Sequence, residues 1–201
     1  MVVIFDPEGV LTDTAGCSFA AWREMAREQG ITYDETMAGQ LAGMNATERL
    51  LGILSHARRS YTAAERLALL TRQSDLMDDL LDRLGEGIQR PGAETLIKAL
   101  KNAGVHLGAV MSDGLPGRVL GRLALGRWFD VMSRQEDILS QLSDVQLRLH
   151  AAPDQCLLVT AFPGSAKAAR SLGMQALLCG RGDDLTALGH QLDAILTDFT
   201  E

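Results

Sequence analysis

Val2-Val3-Ile4-Phe5-Asp6-Pro7-Glu8-Gly9-Val10-Leu11-Thr12-Asp13-Thr14 is the stretch that decides the fold. Its first four residues form a β-prone apolar run too short for a helix. They deliver one carboxylate, Asp6, and the chain then breaks into a turn bearing Pro7 and Gly9. In an open parallel α/β sheet the ligand crevice lies beyond the carboxyl ends of the strands, so a central first strand would place Asp6 where chemistry is done.

Outward from this stretch the β character stops, and a helical region runs to about Gly85. Phe19, Ala20, Trp22, Met25 and Ala26 recur at helical spacing up to Gly30. A short helix is expected over residues 33–41. Asn45 can cap the next helix, and Thr62-Ala63-Ala64-Glu65 has the form of a capping box opening the last. Pro91-Gly92 then restarts an alternation of helices and strands. Helices are expected near residues 93–102, 118–125, 136–149 and 165–172, and strands near 106–111, 129–132, 155–160, 175–179 and 194–197. The fold class is therefore α/β, a Rossmann-like parallel sheet with an inserted α-helical cap. The core is assigned to residues 1–14 and 87–201, and the cap to residues 15–86.

Composition narrows the classes of function. The chain has 201 residues and a formal charge of −7. That charge opposes nucleic acid and anionic membrane surfaces, and Arg58-Arg59 is the only adjacent basic pair set against it. Neither nucleic acid nor membrane is expected as a partner. Cys17, Cys156 and Cys179 have no metal-ligand spacing, and their odd number argues against a disulfide framework. The N-terminal apolar run is too short for a signal peptide or a membrane span, and the expected location is the cytoplasm. No feature of the sequence sets an oligomeric state.

The string Asp-x-Glu-Gly-Val-Leu-Thr-Asp-Thr resembles the first motif of the haloacid dehalogenase superfamily. The layout of the whole chain is similar to its β-phosphoglucomutase-like subgroup. That resemblance implies phosphoryl transfer in two steps, with Asp6 as nucleophile and Glu8 at the acid/base position, where the family carries Asp. It further implies Ser112 as the hydroxyl that holds the phosphoryl group, with Asp113, Thr14 and Arg49 as further substrate-binding candidates. The substrate would be a small phosphorylated molecule. The cofactor would be Mg²⁺, held here by Asp6 and Glu8.

Several positions depart from the family pattern. The lysine motif, usually Lys-Pro-x-Pro-Asp, is matched to Ser140-Gln141-Leu142-Ser143-Asp144 and lacks the lysine. The acids that follow the fourth strand are replaced by Thr160 and Ala161. In the cap, Ser18 and Ala46 stand where sugar-phosphate mutases carry His and a phosphate-binding Arg. Mg²⁺ normally relies on one or two carboxylates among near-octahedral oxygens, so its binding is expected to be weak or absent. Pro7 also removes an amide N–H beside the nucleophile.

Three readings follow. One is a degraded phosphotransfer site, weakly active or non-catalytic, that binds a small ligand or partner. A second is a working phosphatase or phosphomutase using an Asp6 aspartyl-phosphate, with Asp113, Glu136 or Asp137 recruited for metal and Arg49 or Arg72 for phosphate. The third is metal-free hydrolysis at carbon of the haloacid dehalogenase type, which accounts for Thr160-Ala161 and not for the missing lysine.

Overall fold

A computed structural model of the protein describes residues 1–42, 44–111, 115–135, 137–180 and 182–198. The chain divides into two compact units, Met1–Asp13 with Glu86–Glu201, and Thr14–Gly85.

The first unit holds a sheet of strands β1 (Val2–Phe5), β2 (His106–Val110), β3 (Val131–Ser133), β4 (Cys156–Thr160) and β5 (Gln175–Leu178). Their order is β3-β2-β1-β4-β5 and every pairing is parallel, so β1 is central, as expected. Each of the four β1 side chains is buried, which is why this strand reads as a continuous apolar run without alternation. Alternation instead divides the residues between two apolar layers. Val3 and Phe5 face a layer with Leu96, Ile97 and Leu188, whereas Val2 and Ile4 face one with Leu142, Val145 and Ala169.

The helices of this unit are α5 (Ala93–Asn102), α6 (Leu115–Arg122), α7 (Ile138–Arg148), α8 (Pro163–Ser171) and α9 (Leu185–Asp198). The last corrects the sequence reading, because residues 194–197 belong to α9 and form no strand. Leu185, Leu188 and Leu192 recur at helical spacing on the buried face of α9, and Ile195 continues that stripe. A four-residue window ending in Ile195-Leu196-Thr197 was too short to show that period.

The second unit is helical, with α1 (Ala15–Glu28), α2 (Glu35–Gln40), α3 (Ala46–Leu54) and α4 (Ala63–Leu84). Asn45 and Thr62 both complete capping boxes, each accepting from the amide three residues on while that residue's Glu bonds back. Trp22, Met25, Leu50 and Ile53 form this unit's own apolar core. No helix among the described residues is long and apolar enough to cross a membrane.

Close packing of α7 on the sheet depends on Gly108 in β2. A Cβ at that position would lie 2.3 Å from Val145 Cγ1. Because Val145 is β-branched and stiff at χ1, it cannot turn aside. Gly108→Ala is expected to destabilise the fold by about 1–3 kcal/mol in urea titration, and Val145→Ala introduced with it should recover part of that loss.

Candidate functional site

The site is built at the carboxyl end of the sheet. Register sets Phe5 opposite Ala109 and Val159, so the next residue, Asp6, leaves the centre of the sheet beside the last residue of β4. Its amide continues the ladder by donating to Val159 O at 2.9 Å. The side chain is 5% exposed. Its Oδ2 accepts from Thr160 Oγ1 at 3.1 Å and from Ser165 Oγ, in the first turn of α8, at 3.3 Å. Thr160 Oγ1 also accepts from Phe162 N at 3.0 Å, which leaves the hydroxyl hydrogen to point at the carboxylate.

The turn after Asp6 closes on itself. Pro7 O accepts from the amides of Val10, Leu11 and Thr12 at 3.2, 2.8 and 3.0 Å, and Gly9, at φ 80°, donates to Thr12 O at 2.7 Å. Pro7 has no N–H, and the amides of residues 9–12 are already bonded within the turn, so few donors remain to receive an anion beside Asp6. Glu8 lies partly exposed in this turn, in a bridge with Thr12.

Arg90 holds the turn from behind. It is 7% exposed and donates through Nη1 to Gly9 O at 2.6 Å and Val10 O at 3.2 Å, and through Nη2 to Asp183 O. The guanidinium also reaches Cys179 Sγ at 3.7 Å. Burial nevertheless pushes the Cys179 thiol up, with Arg90 opposing only in part, so this thiol is a packed core group.

The candidates from sequence are distributed as follows. Asp6 and Thr160 meet directly. Ala161 follows Thr160 and is partly buried. Ser112, Asp113 and Glu136 lie outside the described residues. Thr14 and Arg49 belong to the helical unit, where Thr14 is buried just before α1. Arg49 lies over the Trp22 ring, 5.9 Å from its centroid, and its Nε is buried with no hydrogen-bond partner among the described residues. Two residues of the phosphatase reading have other work. Arg72 is bonded to both oxygens of Glu28, the shortest contact being 2.7 Å, and Asp137 caps α7 by accepting from Ser140 N at 2.9 Å.

The stretch matched to the lysine motif, Ser140–Asp144, lies inside α7, where Ser140 is exposed and Gln141 N donates to Asp137 O at 3.0 Å. Ser133 ends β3, is 1% exposed, and its hydroxyl has no partner among the described residues.

Gln141 was missed by the sequence reading because a glutamine on a polar helix carries no signal of burial. It is fully buried, accepting from Met111 N at the end of β2 and donating to Gln135 O at 2.9 Å. Ser165 was likewise missed, although Pro163-Gly164-Ser165 announces the first turn of a helix directly after β4.

A parallel α/β sheet with a buried carboxylate leaving its central strand, followed at once by a helical unit, defines the class of protein. Comparison with known proteins makes it specific. The profile of haloacid dehalogenase-like hydrolases matches residues 1–142. The chain is 30% identical over 191 residues to a β-phosphoglucomutase of Bacillus subtilis, covering 91% of this chain and 84% of that one. It is 26% identical over 187 residues to a phosphorylated carbohydrates phosphatase of Thermotoga maritima, covering 87% and 82%. The crystal structure of a β-phosphoglucomutase from Clostridium difficile superposes with a TM-score of 0.78 at 24% identity, covering 89% of this chain and 84% of that one. The chain belongs to the haloacid dehalogenase superfamily, in its β-phosphoglucomutase-like subgroup.

Members of this family generally use Mg²⁺. Around Asp6 the described donors are one carboxylate and two hydroxyls, and no three His, Cys, Asp or Glu residues among the described residues are placed to hold a metal ion. Mg²⁺ takes one or two carboxylates together with waters and substrate oxygens, and among the described residues Asp6 is the buried carboxylate that could serve it at this strand end.

Replacing Gln141 by Leu strands the buried Met111 amide, so Gln141→Leu is expected to lower unfolding free energy by about 1–3 kcal/mol. Ser140→Ala removes only an exposed hydroxyl that contacts Asp137 at 2.6 Å, and a change below about 0.5 kcal/mol is expected. Denaturant unfolding of the two variants checks both values.

Proposed function

We propose that this protein is a β-phosphoglucomutase-like member of the superfamily whose phosphotransfer site is degraded, and that it binds a small phosphorylated ligand with little or no turnover. The observation that carries this reading is the environment of Asp6. Its Oδ2 is held by the hydroxyls of Thr160 and Ser165, at the strand end where the family carries metal-binding acids.

Electrostatics support it. An attacking carboxylate must approach a phosphate dianion, and each unit-charge pair at ~4 Å costs about 4 kcal/mol at an effective dielectric near 20. A lysine and a divalent cation normally offset this repulsion. The stretch matched to the lysine motif, Ser140–Asp144, carries no lysine, and Thr160 and Ala161 replace the acids that follow the fourth strand. Glu8 is one methylene longer than the Asp it replaces, a displacement of about 1 Å that alone can cost on the order of 10²-fold in rate. Asp6 and Glu8 retain the nucleophile and acid/base positions without the charges that would make them efficient.

The ligand reading rests on the relatives, a β-phosphoglucomutase and a phosphorylated carbohydrates phosphatase. Arg49, with its unpartnered Nε, is the residue of the helical unit best suited to meet a phosphate, in place of the Arg lost at Ala46. The three thiols are free and buried, in keeping with a reducing cytoplasm.

Assayed against a panel of sugar phosphates with Mg²⁺, the protein is expected to turn over at least about 10³-fold more slowly than the 1 to 10³ s⁻¹ typical of enzymes. Turnover in that ordinary range, abolished by Asp6→Asn, would establish the working phosphatase or phosphomutase instead.

A further inference from the structure

The helical unit carries two neighbouring clefts that the Asp6 chemistry does not use. Their volumes are about 850 and 440 Å³, and both are lined by Ala57, Arg58, Arg59 and Tyr61. His56 adds to the larger and Arg66 to the smaller. In a chain of net charge −7, residues 55–66 contain three arginines and one glutamate. The only adjacent arginine pair in the sequence is thus set between two cavities in the size range of small-molecule sites.

The acids nearby are already committed. Glu65 accepts from Thr62 N at 2.8 Å and from Arg59 Nη1 at 2.6 Å, and its carboxyl is held down to about 2, first by the Thr62 amide and then by Arg59. Glu28, on the wall of the larger cleft, is gripped by Arg72. Among the described residues neither Arg58 nor Arg66 has a carboxylate partner, although both line the smaller cleft. The wall between the clefts is fixed in place. The Arg59 guanidinium lies 3.8 Å from the Tyr61 ring centroid, and Tyr61 Oη donates to Gln29 Oε1 at 3.3 Å.

We propose that this face of the helical unit is a second binding site, for a low-molecular-mass phosphate ester. Its phosphate sits between Arg58 and Arg66 in the smaller cleft, and its carbon skeleton passes Tyr61 toward Met37 in the larger. Two guanidinium forks offer more donors and more charge than the two oxygens and single charge of one carboxylate can use, whereas a phosphate dianion presents three oxygens to them. Nucleic acid is the poorer occupant, because the remainder of the surface repels it. The site is independent of whether Asp6 turns over.

Arginine Nε–Hε NMR signals report it directly. In a titration with glucose 6-phosphate at low salt, the Arg58 and Arg66 signals are expected to shift saturably with a midpoint of about 1 mM or below. Inorganic phosphate should bind more weakly, and the double variant Arg58→Gln/Arg66→Gln should raise the ester's midpoint at least about tenfold while keeping the wild-type melting temperature. Shifts that stay linear with ligand, or that persist at Tyr61 unchanged in the double variant, would overturn the site. Equal affinity for inorganic phosphate would overturn the ester assignment.

Discussion

The carboxylate of Asp6 leaves the central strand with its Oδ2 bonded to Thr160 and Ser165, and what the core unit can do depends on that contact. The sheet fixes it from below through the ladder bond from Asp6 N to Val159 O, and α8 fixes it from the side through Ser165. Both hydroxyls reach the same carboxylate oxygen, and hydrogen bonds to an ionised acceptor are stronger than neutral ones.

Other parts of the site follow the same trend toward self-satisfaction. The turn after Asp6 uses its own amides on Pro7 O, Arg90 binds the outer carbonyls of that turn, and Gln141 occupies the amide at the end of β2. Each of these groups is an internal solution to a buried polar atom. Ser133 is an exception, a buried hydroxyl at the end of β3 without a partner among the described residues.

Much of this was legible in the sequence, for physical reasons that also explain what was not. Local signals with short range were read correctly. These include the apolar run that ends at Asp6 and the capping residues Asn45 and Thr62. The replacement of acids by Thr160 and Ala161 was visible, but the contact between Thr160 and Asp6 spans 154 positions and needed the fold. Residues 194–197 were read as a strand because their helical stripe begins ten residues earlier, in a segment without a clear start. Gln141, Ser165 and Arg90 were invisible for a shared reason, since a buried polar side chain looks like a surface one until its partners are known.

Carboxylate NMR of Asp6 under Mg²⁺ titration tests the proposed loss of the metal site most directly. The Asp6 signal is predicted to show no saturable change up to about 10 mM Mg²⁺. In a protein carrying Thr160→Glu and Ala161→Asp, it should respond with a defined midpoint. Saturation of the Asp6 signal in the unaltered protein at sub-millimolar Mg²⁺ would contradict the account.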